Sequence, residues 1–387
     1  MPYVAHAPLN ALSRAGTLGA AIAPRLDLLR SVGPGYAWRE QRRRRASSRQ
    51  GGDGRRSGYL ELWSQAARQL GAHVTDLSGG FVRIDDGQGA VVVWNHWVPL
   101  DDIVTLKLAL RKPLVHRMLV EEELPVPDHL VFGVNDLRPA LRFLSDRGGP
   151  CVIKPIDREG GAATTGAVRT SDHVRRAALR ARRLSHQLMI ERQVEGENYR
   201  LLFLDGELLD AVRRLRPQVI GDGTSSVRDL ILTENDRRHS TGAADWYFVC
   251  DLDAILTLEE QGLSLRSVPG AGEPVVVKTV INLNGPDFNE TVRDHLSDAL
   301  VEEAARAARR LGVRLAGVDL ITPDCTEPLS RAGGVILEVN ATPGLHYHYD
   351  VRNPEDGVDV VLPILKALLT RPGRRKTPTL ERLTVAS

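Results

Sequence analysis

Two apolar segments near the C-terminus carry polar residues at alternate positions. The first, AGVDLIT, contains Asp319, and the second, GGVILEVNATPGL, contains Glu338 and Asn340. Both are predicted β-strands, because they are rich in β-branched residues and flank a polar stretch with Pro and Gly (TPDCTEPLSRAGG). Side chains alternate along a strand, so Glu338 and Asn340 lie on one face. The pattern predicts a hairpin that groups two carboxylates and an amide.

This hairpin has two interpretations when it is considered alone. Carboxylate and amide oxygens are hard ligands, suited to a Mg²⁺ ion that bridges nucleotide phosphates. The other interpretation is the ordinary polar outer face of a hairpin. The rest of the chain must decide between them.

Length and composition indicate a globular protein with more than one domain. The chain has 387 residues, of which 42% are hydrophobic and 26% charged. No apolar run approaches the ~20 residues that span a bilayer, so no membrane interaction is predicted. The net charge of +2 gives no general attraction to nucleic acid. Three widely spaced cysteines and an N-terminus without a clear signal peptide favour the cytoplasm.

Changes in composition and pattern predict three regions. Residues 1–105 form a small N-terminal α/β domain, and residues 41–58 within it (QRRRRASSRQGGDGRRSG) form an Arg-rich loop. This loop has little to bury and no interleaved aromatic residues, which favours a linker over a nucleic-acid arm. Residues 106–370 follow as the main part of the chain, and residues 371–387 are a basic tail. Within these regions, helices are predicted at 171–184, 296–311 and 355–370, and paired strands in LLFLDGELLDAVRR.

Several segments could bind a nucleotide, although each alone has an ordinary structural explanation. CVIKPIDREGGAATTGAV places Lys154 on a strand before a glycine loop, whose backbone amides can turn toward an anion. MIERQVEGENYR can offer backbone hydrogen bonds to an adenine, with Glu191 accepting from its amino group. AVRRLRPQ supplies arginines, among them Arg214, that suit phosphate or carboxylate. VVVKTVINLNG places Lys278 and Asn282 on one strand face.

The order of these segments resembles that of ATP-grasp ligases, most closely the ATP-grasp part of cyanophycin synthetase. The resemblance runs from about residue 105 to residue 370. It implies an α+β fold, in which two α/β subdomains at 106–190 and 191–370 clasp ATP after the small N-terminal α/β domain. The segments that carry it are RKPLVHRMLVEEELPVP, VIKPIDREGG, IERQVEGENYRLLFLDGEL, VIGDGTSSVRDLI, LEEQGLSLRSVPGAGEPV, INLNG, GVDLIT and LEVNATPGLHYH.

The resemblance also implies a role for each matching residue. Lys112 and Lys154 hold the α- and β-phosphates, and the glycine loop at 160–166 closes over the triphosphate. Gly160 and Gly161 belong to this phosphate loop, Glu191 to Val194 form the adenine hinge, and Glu197 or Asn198 binds the ribose. The residues implied in catalysis are Arg214, Lys278 and Asn282. The residues implied in binding Mg²⁺ or Mn²⁺ are Asp319, Glu338 and Asn340.

Three features depart from the family pattern. Asn198 replaces an acidic residue, and Lys278 replaces an arginine, which exchanges a bidentate contact for a point charge. Asn284-Gly285-Pro286-Asp287 replaces a Ser-Thr-Gly-Gly stretch, which leaves the substrate open. The chain also lacks a Mur-ligase-like half and a GxxxxGK[ST] loop, so a complete cyanophycin synthetase is not expected.

The implied reaction is the ATP-dependent joining of a carboxylate to an amine through an acyl phosphate, with release of ADP. The substrates would be small molecules or peptides, and a homo-oligomer is compatible with the family. His346 and His348 follow the metal strand and are either substrate contacts or loop residues. Two alternatives remain: a catalytically silent nucleotide-binding scaffold, and an ATP-grasp enzyme with an acceptor that is not an amine.

Overall fold

The computed structural model describes residues 58–158, 160–240, 248–281 and 286–370. Tertiary contacts divide them into two compact units, and each unit joins segments that are distant in sequence. The first unit contains Asp128–Gln193 and 216–281, and the second contains 58–127, Val194–Leu215 and 286–370. The predicted boundaries at 105, 190 and 370 stay predictions. The Arg-rich loop, apart from Gly58, and the basic tail lie outside the described residues.

The described chain alternates between helices and short strands. The strands are β1 (His73–Asp76), β2 (Phe81–Asp85), β3 (Ala90–Trp94), β4 (His129–Gly133), β5 (Cys151–Pro155), β6 (Thr165–Val168), β7 (Gln187–Arg192), β8 (Glu197–Leu204), β9 (Glu207–Arg214), β10 (Gln218–Ile220), β11 (Pro274–Val276), β12 (Asn289–Thr291), β13 (Leu315–Thr322) and β14 (Val335–Asn340). The helices are α1 (58–69), α2 (Ile103–Ala109), α3 (Lys112–Glu121), α4 (Arg138–Arg147), α5 (Ser171–Ala181), α6 (Val227–Ser240), α7 (Leu252–Glu260), α8 (Asp298–Arg310), α9 (Leu329–Ala332) and α10 (Val361–Thr370).

The first unit is built on a four-stranded antiparallel sheet with the order β4-β7-β5-β6. Its core joins this sheet to α4, α5 and α7, and includes Ile153, Ala177 and Leu256. Side chains cap two of these helices: the Thr170 hydroxyl accepts from His173 N, and the Asp251 carboxylate accepts from Ala254 N. A short β10-β11 ribbon and α6 complete the unit.

The second unit is built on a five-stranded antiparallel sheet with the order β12-β9-β8-β13-β14. Alternate residues of β8 enter two separate cores. Leu201 and Phe203 pack with α3 and α8, and Leu202 and Leu204 pack with α1, α10 and the three-stranded β1-β2-β3 sheet. This arrangement explains why the YRLLFL segment is apolar without a period of two, since both faces of its strand are buried.

The predicted elements of this unit are confirmed with one correction. The β8-β9 hairpin turns at Asp205-Gly206, and α8 spans most of the predicted 296–311 helix. The helix predicted at 355–370 starts instead at Val361, because Pro354–Asp356 forms only a 3₁₀ turn. The Asp359 carboxylate accepts from the backbone N–H groups of Val361 and Leu362, and this cap defines the true N-terminus.

Candidate active site

The predicted hairpin is present, and it places the two carboxylates opposite each other. β13 and β14 pair antiparallel with Asp319 opposite Glu338, and the register shifts immediately after Asp319. Asn340 ends β14, where its amide nitrogen donates to the Gly317 carbonyl at 3.2 Å. The carboxamide oxygen is therefore the atom that can bind a cation.

Asp319 also receives two arginines from the neighbouring strands. Arg200 lies opposite it on β8 and donates from Nε to Oδ1 and from Nη2 to Oδ2, both at 2.7 Å. Arg214, on β9, donates to Oδ2 at 3.4 Å. All three side chains are buried. Burial alone would lower the pKa of Arg200, but Asp319 outweighs it and raises that pKa, whereas burial and Arg200 lower the pKa of Arg214.

Sequence reasoning missed Arg200 and Tyr347. Arg200 had a signal, since it is a charged residue within the apolar strand NYRLLFL, two positions after Asn198. Tyr347 lies between two histidines that attracted attention first. Its ring is 5.0 Å from Cζ of Arg200 and 5.8 Å from Cζ of Arg214, which is cation–π distance. Arg213 faces away from this cluster and pairs with Glu290.

Glu338 lies beside Lys112, one of the predicted phosphate-binding lysines. Nζ of Lys112 is 3.1 Å from the Glu338 carboxylate, and Lys112 is buried at the first turn of α3. In the described part of the chain, no group of three or more His, Cys, Asp and Glu residues is placed to bind a metal. The candidate cation ligands are the carboxylates of Asp319 and Glu338 and the amide of Asn340. Such a set fits a hard cation that keeps water or phosphate as its other ligands.

Asp319 can accept a cation in addition to the arginines. A carboxylate offers about four acceptor positions. Asp319 uses three of them, two for Arg200 and one for Arg214. The residues present therefore fit the Mg²⁺ that the resemblance implies.

In the first unit, the second phosphate lysine is paired with the predicted adenine residue. Nζ of Lys154, on β5, is 2.8 Å from the Glu191 carboxylate on the neighbouring β7, and both side chains are buried. Gly160 and Gly161 follow with φ of 63° and 65°, a left-handed conformation that favours glycine. The predicted loop at 160–166 is shorter in the structure, because β6 begins at Thr165 and Gly166 lies on that strand.

The predicted ribose residues differ in their environment. Asn198 is buried on β8, and its carboxamide oxygen has no hydrogen-bond partner among the described residues. Glu197, one position earlier, is exposed. An unpaired buried oxygen is costly, so Asn198 is the better of the two candidates for a ligand contact. Val194, the end of the predicted hinge, lies in the β7-β8 connection.

The three predicted catalytic residues belong to different parts of the chain. Arg214 belongs to the second unit, Lys278 belongs to the first, and Asn282 lies outside the described residues. Nζ of Lys278 donates to both oxygens of Asp251, at 2.9 and 2.8 Å. Burial alone would raise the pKa of Asp251, but Lys278 and Arg180 outweigh it and hold that pKa at about 2.

The two histidines of the GLHYHYD segment have structural partners. His348 is fully buried, and its Nδ1 is 2.7 Å from Asp210, which also accepts from the Thr291 hydroxyl. His346 Nδ1 is 2.7 Å from the Tyr59 hydroxyl. The contacts of His348 favour a structural role for that residue.

Comparison with known proteins identifies the fold. Over 80% of its length, the chain matches 43% of the crystal structure of a bifunctional glutathione synthetase from Pasteurella multocida, with 22% identity and a TM-score of 0.51. The fold is ATP-grasp. The N-terminal domain predicted before it is described only from residue 58 onward. No family model matches the chain.

The sequence is also related to part of cyanophycin synthetase. The Nostoc sp. protein is 32% identical over 250 residues, which are 64% of this chain and 28% of that protein. The Synechocystis sp. protein is 32% identical over 275 residues, 69% of this chain and 31% of that protein. This ATP-grasp chain thus spans about a third of the length of these curated relatives. Among the residues that the structure describes, no helix is long and apolar enough to cross a membrane.

Proposed function

We propose that this chain is an ADP-forming ligase that joins a carboxylate to an amine through an acyl phosphate. The observation that supports it most is the pairing of β13 and β14, which sets Asp319 opposite Glu338 with two buried arginines beside them. This cluster combines carboxylates for a cation with guanidinium groups for phosphate. A solvated hairpin face would not bury three charged side chains.

The reaction needs activation because a carboxylate is a poor electrophile. A carboxylate oxygen attacks the γ-phosphorus of ATP, the bond to the β-phosphate oxygen breaks, and ADP leaves. The amine nitrogen then attacks the acyl carbon, the carbon–oxygen bond to phosphate breaks, and the amine loses a proton. The protein contributes orientation and charge neutralisation more than covalent chemistry.

The proposal gives each predicted residue the role that the resemblance implies. Lys112 and Lys154 would bind the phosphates, Glu191 and the hinge to Val194 would bind the adenine, and Asn198 would bind the ribose. Arg214 would stabilise the charge that develops on the transferred phosphoryl group. Asp319, Glu338 and Asn340 would hold Mg²⁺, which supplies further charge neutralisation when it is bound.

The substrates are proposed only as classes. The resemblance to ligases of amino acids and peptides suggests a free amino acid or a peptide as the carboxylate, and an amine as the acceptor. The Asn-Gly-Pro-Asp stretch at 284–287 departs from the family pattern, so the resemblance does not specify which carboxylate or which amine is used. A homo-oligomer and a cytoplasmic location remain predictions.

The test measures ADP release across a matrix of amino acids and short peptides as carboxylate and amine. With the correct carboxylate and no amine, hydroxylamine should trap a hydroxamate while ADP accumulates. Arg214→Lys should reduce both products, because a fork donor becomes a point charge. AMP and pyrophosphate as products would overturn the proposal.

Two other results of this matrix would favour the alternatives. Tight binding of ATP without ADP release in any combination would indicate a nucleotide-binding scaffold. ADP release that requires a thiol or bicarbonate in place of an amine would indicate a different acceptor. The grouped Asp319 and Glu338 favour catalysis, because a binding-only protein has less need of both carboxylates.

A further inference from the structure

The ammonium group of Lys278 contacts two carboxylates of the first unit. Its side chain is 2% exposed, and two of its contacts are the hydrogen bonds to Asp251 Oδ1 and Oδ2 at 2.9 and 2.8 Å. The third is Asp253 Oδ2 at 3.7 Å. Two of the three N–H donors of the ammonium group therefore bond to Asp251, and the contact with Asp253 is an ion pair longer than a hydrogen bond. The charge of Lys278 is thus matched by two carboxylates of its own unit.

Asp253 links this lysine to the backbone of the glycine loop. One carboxylate oxygen accepts from the N–H of Gly166, at the start of β6 where the glycine loop ends, at 2.8 Å. The other accepts from the N–H of Val280 at 3.1 Å. Asp253 is fully buried, so these bonds are shielded from water. A single side chain therefore ties the end of the glycine loop to the segment that carries Lys278.

Arg180 completes the cluster and reaches the loop by a second route. One guanidinium nitrogen donates to Asp251 at 2.6 Å. Another donates to the Thr164 carbonyl at 2.7 Å and to the Thr165 hydroxyl at 2.9 Å. Two cations face two carboxylates, so the cluster carries no spare positive charge for a phosphate or a substrate carboxylate.

The backbone on either side of the cluster is in close contact. A Cβ on Gly166 would lie 2.6 Å from Cγ2 of Thr279 and 3.2 Å from the Gln193 side chain. Thr279 is fixed in turn, because its N–H donates to the Thr257 hydroxyl at 2.9 Å. The end of the glycine loop therefore has one packed position against the 278–280 segment.

We propose that Lys278 is a positioning residue, and that Arg180, Asp251, Asp253 and Lys278 form an ionic anchor that fixes the end of the glycine loop. This replaces the catalytic role that the resemblance implies for Lys278. It rests on the proposed function in one respect, namely that the glycine loop binds nucleotide phosphates. Disruption of the anchor loosens the loop and weakens nucleotide binding without removing any atom that touches the nucleotide.

The test compares Lys278→Met, Asp253→Asn and the double variant Lys278→Met/Asp251→Asn with the wild-type full chain. Lys366→Met serves as the control, because Lys366 is an exposed lysine on α10. Amide hydrogen exchange at Gly166 and Val280 is measured first and needs no ligand. The dissociation constant of ADP with Mg²⁺ is then measured by calorimetry, at a temperature where circular dichroism shows every variant to be folded.

Hydrogen exchange at the Gly166 and Val280 amides should be faster by roughly tenfold or more in Lys278→Met and in Asp253→Asn. The reason is that these buried N–H donors lose the geometry of their acceptor. Binding of ADP should weaken by a similar factor in both variants. The double variant should bind ADP more tightly than Lys278→Met alone, because Asp251→Asn removes the charge that Lys278→Met leaves unpaired. Lys366→Met should match the wild type in both measurements.

Different outcomes overturn the anchor and the proposed function. Wild-type exchange and wild-type ADP affinity in folded Lys278→Met, with loss of ADP release, would show that Lys278 contacts a substrate and not the anchor. A folded variant with faster exchange and unchanged affinity would show a purely structural cluster, which also overturns the proposal. Should Lys278→Met fail to fold, Asp253→Asn decides, since its amide keeps the side-chain shape. Absence of ADP binding in the wild type would contradict the proposed function alone.

Discussion

At the residue scale, the two carboxylates of the hairpin are not equivalent. Asp319 is buried and holds two arginines, whereas the Glu338 side chain is 25% exposed and has Lys112 beside it. Removing one partner of a buried ion pair leaves an uncompensated charge, which costs far more than losing an exposed one. The same loss of a metal ligand should therefore have different consequences for stability at the two positions.

Glu338→Gln should reduce Mg²⁺-dependent ADP release by about a hundredfold or more, because a charged ligand to the cation is lost. The free energy of unfolding should fall by about 1 to 2 kcal/mol, less than in an Asp319 variant, since the glutamine oxygen can still accept from the buried Lys112. Denaturant unfolding and initial rates across a Mg²⁺ titration would measure both effects. Unchanged turnover at every Mg²⁺ concentration would contradict the assignment.

Asp319→Ala should also abolish ADP release, but it should destabilise the second unit by about 3 to 5 kcal/mol. The reason is that the buried Arg200 loses its bidentate partner. Chemical denaturation of Asp319→Ala beside Glu338→Gln would show the difference. Equal stability of the two variants would show that Arg200 finds another partner or reaches solvent.

The cysteines should differ in reactivity. Burial raises the pKa of Cys151 to about 11, so at pH 8 only about one thiol in a thousand is ionised. Cys325, which is partly exposed, should react with iodoacetamide first, and Cys151 should react only as the protein unfolds. Peptide mass spectrometry after timed labelling would measure this, with labelling in urea as the control. Rapid native labelling of Cys151 would contradict its burial.

At the element scale, close approach between segments decides which glycines are required. Gly166, on β6, has no room for a side chain because Thr279 is packed against it. Gly133, at the end of β4, has nothing within 4 Å of the position that a Cβ would occupy. Both glycines lie in strands of the same sheet, so they form a matched pair.

Gly166→Ala should lower the free energy of unfolding by about 1 to 3 kcal/mol, because the added methyl group must displace Thr279 or the β6 backbone. Gly133→Ala should lie within about 0.5 kcal/mol of the wild type, or be slightly more stable. Urea unfolding of both variants under identical conditions would test the pair. An equal loss at both positions would indicate that backbone conformation, not packing, decides the cost.

At the scale of the whole molecule, ligand binding should be visible as stability. A ligand that binds only the folded state adds about 2.7 kcal/mol at a hundred times its dissociation constant. ADP with Mg²⁺ should therefore raise the Tm of the chain by several degrees, at about 2 to 4 °C per kcal/mol for domains of this size. Thermal scans with ADP, with and without Mg²⁺, would measure the shift.

Chelation of Mg²⁺ by EDTA should remove most of this shift if the cation and the nucleotide bind together. Lys154→Met should reduce it with Mg²⁺ present, because the nucleotide loses a cationic contact. An equal shift with and without Mg²⁺ would contradict coupled binding of the cation. AMP offers a control, since it lacks the β-phosphate that the lysines are proposed to bind.

The sequence by itself determined the features that depend on local periodicity and chain order. Alternation in AGVDLIT and LEVNATPGL predicted the hairpin of Asp319 and Glu338, and the glycines at 160 and 161 indicated a loop after the strand of Lys154. The order of the segments was sufficient to indicate ATP-grasp, because each segment keeps its place along the chain whatever its final contacts.

Only the tertiary structure decided which charged residues become partners. Arg200 meets Asp319 across 119 positions of sequence, and Lys278 meets Asp251 across 27. Such pairs depend on which strands become neighbours and in which register, and a period of two says nothing about either. The sequence offered two possible starts for α10, one after Pro354 and one at Val361, and helical periodicity could not choose between them. The hydrogen bond from Val361 N–H to the Asp359 carboxylate places the start at Val361. Local patterns therefore predict the helices and strands. The candidate site forms only when charged residues that are distant in sequence are buried as partners.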